Sequence, residues 1–112
     1  MKILYWNVRG IANSPTKLAI KRLILHNKPD ILVIAEPWID FNDFPYRWLA
    51  RQNLKLFATN NRSGQLPNLW CICKNQINPT ILALDNQQVS LMIFEHDKTF
   101  CVSAVYASTN YI

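Results

Sequence analysis

KPDILVIAEPW, residues 28–38, carries an unbroken apolar run, Ile31 to Ala35, closed by an acid, a proline and a tryptophan. A continuous run rich in β-branched residues reads as a strand buried on both faces. Upstream, ILYWNVRG (residues 3–10) reads as another strand, breaking at Asn7 and Gly10. Between the two, Ser14-Pro15 marks a helix start, with Ser14 as N-cap and Pro15 at the first helical position, and the helix runs to about His26. Ile20, Leu23 and Ile24 share one of its faces, while Lys17, Lys21 and Lys28 gather on another. A strand–helix–strand unit of this length predicts two near-parallel strands with the helix packed on their sheet. The loops after both strands then open at one sheet edge, so Asn7 and Glu36 emerge side by side. That edge is where open α/β sheets bind ligands.

Further along, FNDFPYRWLARQN predicts a shorter helix with Pro45 near its start and Phe44, Trp48 and Leu49 on its apolar side. Arg47, Arg51 and Lys55 recur every fourth residue and form a basic stripe. The pattern then changes to strands: LKLFAT, LWCICK, TILAL, QVSLMIFE and FCVSAVYA, the last two joined as an antiparallel hairpin. The fold class is therefore α/β, a βαβ start followed by an antiparallel meander, in one domain spanning residues 1–112.

Half of the 112 residues are hydrophobic and 17% are charged, the composition of a globular chain. Twelve Lys and Arg against seven Asp and Glu give a formal net charge of +5. That suits an anionic partner, of which nucleic acid is the commonest, and is equally within the solubility charge of a small domain. Three cysteines, Cys71, Cys73 and Cys101, sit in apolar runs and fit neither a disulfide framework nor a zinc spacing, so they read as reduced core residues. The N-terminus lacks the pattern of a signal peptide, and no apolar run is long enough to span a membrane. A nuclear or cytoplasmic, non-secreted protein is expected. The sequon at Asn61-Arg62-Ser63 would then stay unused.

A carboxylate ending a buried strand needs water, a partner or a cation. Glu36 can hold a hard cation such as Mg²⁺, which asks for only one or two carboxylates, or it can be a solvated loop acid. Asn7 can hold a carboxylate, a metal-bound water or a phosphate oxygen, or it can satisfy its own turn. Tyr106, at the end of the last strand, can donate to a phosphate oxygen or serve as an amphipathic rim residue. His26 and His96 read as surface residues, and no catalytic triad, phosphate-cradling loop or zinc motif occurs.

ILYWNVRG, then KPDILVIAEPW after one helix, then CVSAVYAS after a hairpin, resembles the endonuclease/exonuclease/phosphatase superfamily. The likeness is strongest to the apurinic-type endonuclease domain preceding the reverse transcriptase of non-LTR (LINE-type) retrotransposons, particularly those of plants. It covers essentially the whole chain but only the first half of that domain. The resemblance implies a four-layered α/β sandwich of two packed mixed sheets and Mg²⁺-dependent hydrolysis of a phosphodiester, usually nicking DNA, with Mn²⁺ as a possible substitute. It implies that Asn7 orders the metal and the catalytic carboxylate, that Glu36 binds the metal, and that Tyr106 contacts phosphate. Arg9, Trp38, Arg47 and Arg51 are the expected nucleic-acid contacts.

Several positions depart from the family pattern. Arg9 stands where some relatives carry an extra acid, Thr109 where many have a phosphate-binding asparagine, and GQLPNLW replaces a glycine-rich segment. The family's later Asp-x-Asn and its Asp-His pair are not among these residues; beyond Glu36 the acids are Asp40, Asp43, Asp85, Glu95 and Asp97. The chain alone is therefore expected to be an incompetent nuclease, from a truncated retroelement copy or a partial gene. Two other readings stay open. One is a non-catalytic nucleic-acid-binding module using Lys17, Lys21, Lys28, Arg47, Arg51 and Lys55. The other is a structural piece that self-associates through an uncovered apolar sheet face. Within the superfamily, a phosphatase or phosphoinositide enzyme also remains.

Overall fold

The computed structural model describes residues 1–44, 46–60 and 62–106. Pro45, Asn61 and residues 107–112, with Thr109 and the end of the expected last strand, lie outside the described residues. The element order is β1 (Ile3–Asn7), α1 (Ser14–Asn27), β2 (Ile31–Ala35), a 3-10 turn (Phe41–Asp43), α2 (Tyr46–Arg51), β3 (Leu54–Thr59), β4 (Leu69–Lys74), β5 (Thr80–Leu84), β6 (Gln88–Glu95) and β7 (Lys98–Val105). One sheet has the order β1-β2-β4-β3 and the other β5-β6-β7. β1 and β2 are parallel, with Ile3 opposite Ile31 and Asn7 opposite Ala35. β4 runs antiparallel to both β2 and β3.

β2 is buried at every residue because the sheet is covered on both sides. Leu32 and Ile34 face the helical layer, in a cluster with Ile20, Ile24, Leu49, Trp70 and Ile72. Ile31, Val33 and Ala35 face the second sheet and pack with Val89, Leu91, Ile93 and Ala104. Each fully buried aliphatic side chain contributes about 1.5–3 kcal/mol. The result is a helical layer, a mixed sheet and an antiparallel sheet. A bulge in β3 between Leu56 and Ala58 turns the consecutive residues Phe57 and Ala58 both toward the inter-sheet core.

Several local expectations change. The N-cap of α1 is Asn13, whose Oδ1 accepts the Thr16 N–H at 2.8 Å. Ser14 is the first helical residue, because an asparagine one position earlier closes the same turn through its own side chain. The FNDFPYRWLARQN segment divides into the 3-10 turn and a short α2. Lys55 falls in β3, where its ammonium donates to the Asn75 carbonyl and to Asn78 Oδ1. Lys21 Nζ lies 5.6 Å from the Trp48 ring, so it joins α1 to α2. Both basic stripes are thereby broken. β7 starts at Lys98, and the hairpin turns on His96 and Asp97, both at positive φ. Cys71 and Cys73 are buried, and burial, reinforced by Cys73, pushes the Cys71 thiol up to about 12. Cys101 is exposed, because the alternation of β7 points it away from the inter-sheet core.

The two sheets cover each other's inner faces. The bare apolar face is instead the outer side of the β5–β7 sheet, where Met92 and Phe94 are exposed beside Ser90, Thr99 and Ser103. No helix among the described residues is long and apolar enough to cross a membrane.

Candidate active site

The loops after β1 and β2 are zipped together. Val8 N–H donates to the Ala35 carbonyl (3.0 Å), Gly10 N–H to that of Glu36 (2.8 Å) and Ile11 N–H to that of Pro37 (3.0 Å). This zipper places Arg9 (φ 47°), Glu36 (φ 54°) and Trp38 (φ 63°) in the left-handed region. Each such non-glycine residue costs about 1–3 kcal/mol and persists only where its surroundings fix it. Glu36 is also held from the other side, its N–H donating to the Asn68 carbonyl at 2.9 Å.

Asn68 is itself fixed by a buried amide pair. Asn60 Oδ1 accepts the backbone N–H groups of Asn68 and Leu69, both at 2.9 Å, and Asn60 Nδ2 donates to Asn68 Oδ1 and to the Asn86 carbonyl. The β3–β4 connection is thus locked by a satisfied polar network under the Glu36 backbone.

The half-buried Glu36 carboxylate accepts the Tyr106 O–H at 2.9 Å. That bond, with some burial and the carboxylate charge, raises the Tyr106 phenol above its usual range. Tyr5 reaches the same corner: its O–H donates to the Val105 carbonyl at 3.3 Å. Burial first, and the Glu36 charge second, raise its phenol too. A cleft of about 480 Å³ opens here, lined by Glu36, Trp38, Arg62, Gln65, Asn68 and Tyr106 among others.

Glu36 and Tyr106 are therefore in direct contact. Asn7 sits opposite Ala35 at the same strand ends, but its Oδ1 accepts the Arg9 N–H at 3.2 Å and no hydrogen bond joins it to Glu36. Its amide nitrogen has no partner among the described residues. Trp38 lines the cleft. Arg9 is exposed at the edge, while Arg47 and Arg51 lie on α2 in the helical layer and do not line the cleft. Tyr5, Arg62, Gln65 and Asn68 were not singled out by sequence. Tyr5 has one available signal, its alternation with Asn7 on β1; the others have none, because they approach Glu36 only once β3 and β4 pair.

Among the described residues, no three His, Cys, Asp or Glu side chains converge. A single half-buried carboxylate with no cationic partner among the described residues, open to a cleft, could hold a largely hydrated Mg²⁺ or Mn²⁺, with Asn7 able to hold one of its waters. The same donor set does not make a zinc or calcium cage.

No family model matches the sequence, and no curated protein matches it. Solved structures do. The chain superposes on the endonuclease domain of TRAS1, a telomere-specific non-LTR retrotransposon, with a TM-score of 0.68 at 16% identity, covering 99% of this chain and 48% of that one. Human Nocturnin's catalytic domain, solved with a bound sulfate anion, gives 0.62 at 19% identity, covering 97% and 51%. The 3′ phosphatase NExo from Neisseria, bound to a product DNA hairpin, gives 0.58 at 21% identity, covering 95% and 41%.

The chain has the endonuclease/exonuclease/phosphatase fold.

It spans about half the length of these solved chains. Within the endonuclease/exonuclease/phosphatase fold of this chain, the Glu36 cleft lies where the β1 and β2 strand ends meet the end of β7.

Proposed function

We propose that these residues supply the metal-holding and phosphate-contacting side of a Mg²⁺-dependent phosphodiester-hydrolysing site of retrotransposon-endonuclease type acting on DNA. The observation that carries this reading is the Tyr106–Glu36 contact. A phenol from the end of β7 meets a strained, half-buried carboxylate at the end of β2, in a cleft otherwise poor in acids. Glu36 would bind the cation and Asn7 would orient one of its waters. Tyr106, its proton retained, would turn its O–H from Glu36 to a non-bridging phosphate oxygen. The bound ion would supply Lewis-acid polarisation and neutralise charge on the leaving oxygen.

Among the described residues, Glu36 is the only carboxylate lining the cleft, and no histidine lines it. No described residue on this side offers a second, water-activating base, and such a base is worth about 10²–10⁴ in rate. Supercoiled plasmid, Mg²⁺ and chelator provide the test. The chain alone should bind DNA more tightly with Mg²⁺ than with chelator, lose that gain in Glu36→Gln, and leave the plasmid unnicked. A gain that persists in Glu36→Gln contradicts the metal role, and rapid Glu36-dependent nicking contradicts the incompleteness. The breaking of both basic stripes, by Lys55 in β3 and Lys21 on Trp48, weighs against a purely electrostatic binding module.

A further inference from the structure

We infer that the cleft beside Glu36 is a nucleotide subsite in which Trp38 stacks an unpaired base and Arg62 holds a phosphate of the same strand. The inference rests on reading the Glu36 cleft as a nucleic-acid site, but it concerns different side chains and its test needs neither metal nor turnover.

Trp38 is 61% exposed, yet it is held in place. Its backbone is fixed at positive φ, flanked by the loop zipper through Glu36 and Pro37. Its six-membered ring lies on Gly10, so closely that a Cβ there would stand 2.8 Å from Trp38 Cε3. The Cε3–Cζ3 side of the ring is thus seated against Gly10, while most of the residue remains open to solvent. A fixed aromatic platform of this kind loses little entropy when a base stacks on it, and stacking is worth about 1–3 kcal/mol per base.

Arg62 lines the same cleft. Its guanidinium is braced by donation to the Leu66 carbonyl at 2.9 Å and to Gln65 Oε1. It has no carboxylate partner among the described residues. No other acceptor among the described residues takes up the remaining donors of the fork, and a bidentate phosphate matches that geometry. A cation and a flat aromatic sharing one cleft of about 480 Å³ fit a phosphate with its base. A base paired inside a duplex presents no free face to an indole, so the occupant is a single strand, a strand end or an unstacked nucleotide.

Binding of fluorescently labelled oligothymidylate in excess chelator, followed by anisotropy over a range of salt, tests this. Trp38→Leu should weaken binding about 5- to 150-fold, the range that stacking corresponds to. Arg62→Gln should weaken it and reduce the salt slope by about one. Arg62→Lys, which keeps the charge and loses the fork, should fall between. Lys98→Gln, in the hairpin at the far end of β7, is the charge control and should leave affinity close to wild type. A duplex competitor should show no Trp38 effect. Undiminished binding in Trp38→Leu, or equal losses in Arg62→Gln and Lys98→Gln, overturns the subsite. Either result leaves the assignment of Glu36 as metal ligand to its own Mg²⁺ experiment.

Discussion

Gly10 is where the two loops at the site come closest. Its φ of +98° is one that side-chain-bearing residues rarely adopt, and the Trp38 ring occupies the space a Cβ would need. Gly10→Ala should therefore cost about 1–3 kcal/mol through backbone strain, with displacement of Trp38 in addition. Urea denaturation reads the first effect, and a red shift of the Trp38 emission reads the second. An unchanged midpoint would mean that the loop zipper is softer than its hydrogen bonds indicate. At the same scale, the thiols divide by exposure. Cys101 should react quickly with a thiol reagent at neutral pH. Cys71 and Cys73, buried and held protonated, should react only on unfolding, as mass spectrometry of timed labelling would show.

Elements are joined by a few polar contacts that the packing alone does not provide. Asn13→Ala should cost α1 about 1 kcal/mol through loss of its cap, whereas Ser14→Ala should be close to neutral. Thermal melts of the two variants decide the matter, and the opposite order would restore Ser14 as the cap. Asp30 ties three strands at the opposite end of the sheet. It accepts the Lys2 N–H at 2.6 Å and pairs with Lys74 at 3.0 Å. Burial alone would raise its carboxyl, but the Lys2 hydrogen bond and the Lys74 ammonium outweigh that and lower it below the usual carboxylate range. A depressed carboxyl stabilises the fold above its unfolded value and loses that contribution as pH falls through its folded value. The stability difference between wild type and Asp30→Asn should thus be constant near neutral pH and shrink below about pH 4. A difference that grows on acidification would contradict the ion pair.

Much of the element scale was legible beforehand. The apolar run at Ile31–Ala35 required two covering layers, and LKLFAT, LWCICK, TILAL and QVSLMIFE emerge as β3, β4, β5 and β6 at the expected residues. The cap, the fate of Lys55 and the exposure of Cys101 were not legible, because each depends on a choice among neighbours that periodicity leaves open. At the site, the adjacency of the Asn7 and Glu36 strand ends follows from the parallel pairing of β1 and β2. The Arg62 side of the cleft arises only through the Asn60–Asn68 network, a non-local pairing with no sequence pattern.

At the scale of the whole molecule, both faces of the mixed sheet are covered, and the antiparallel sheet supplies one of the covers. The strand ends that carry Asn7, Glu36 and Tyr106 are thereby fixed relative to one another across two sheets, as preorganised binding requires. The claim that this corner binds a divalent cation through Glu36 can be read directly from backbone amide resonances titrated with substoichiometric paramagnetic Mn²⁺ in place of Mg²⁺. The amides of Asn7, Glu36 and Tyr106 should broaden together and first, and Glu36→Gln should abolish the effect. Broadening centred elsewhere, such as at Asp40 and Asp43, or persisting in Glu36→Gln, would contradict the account.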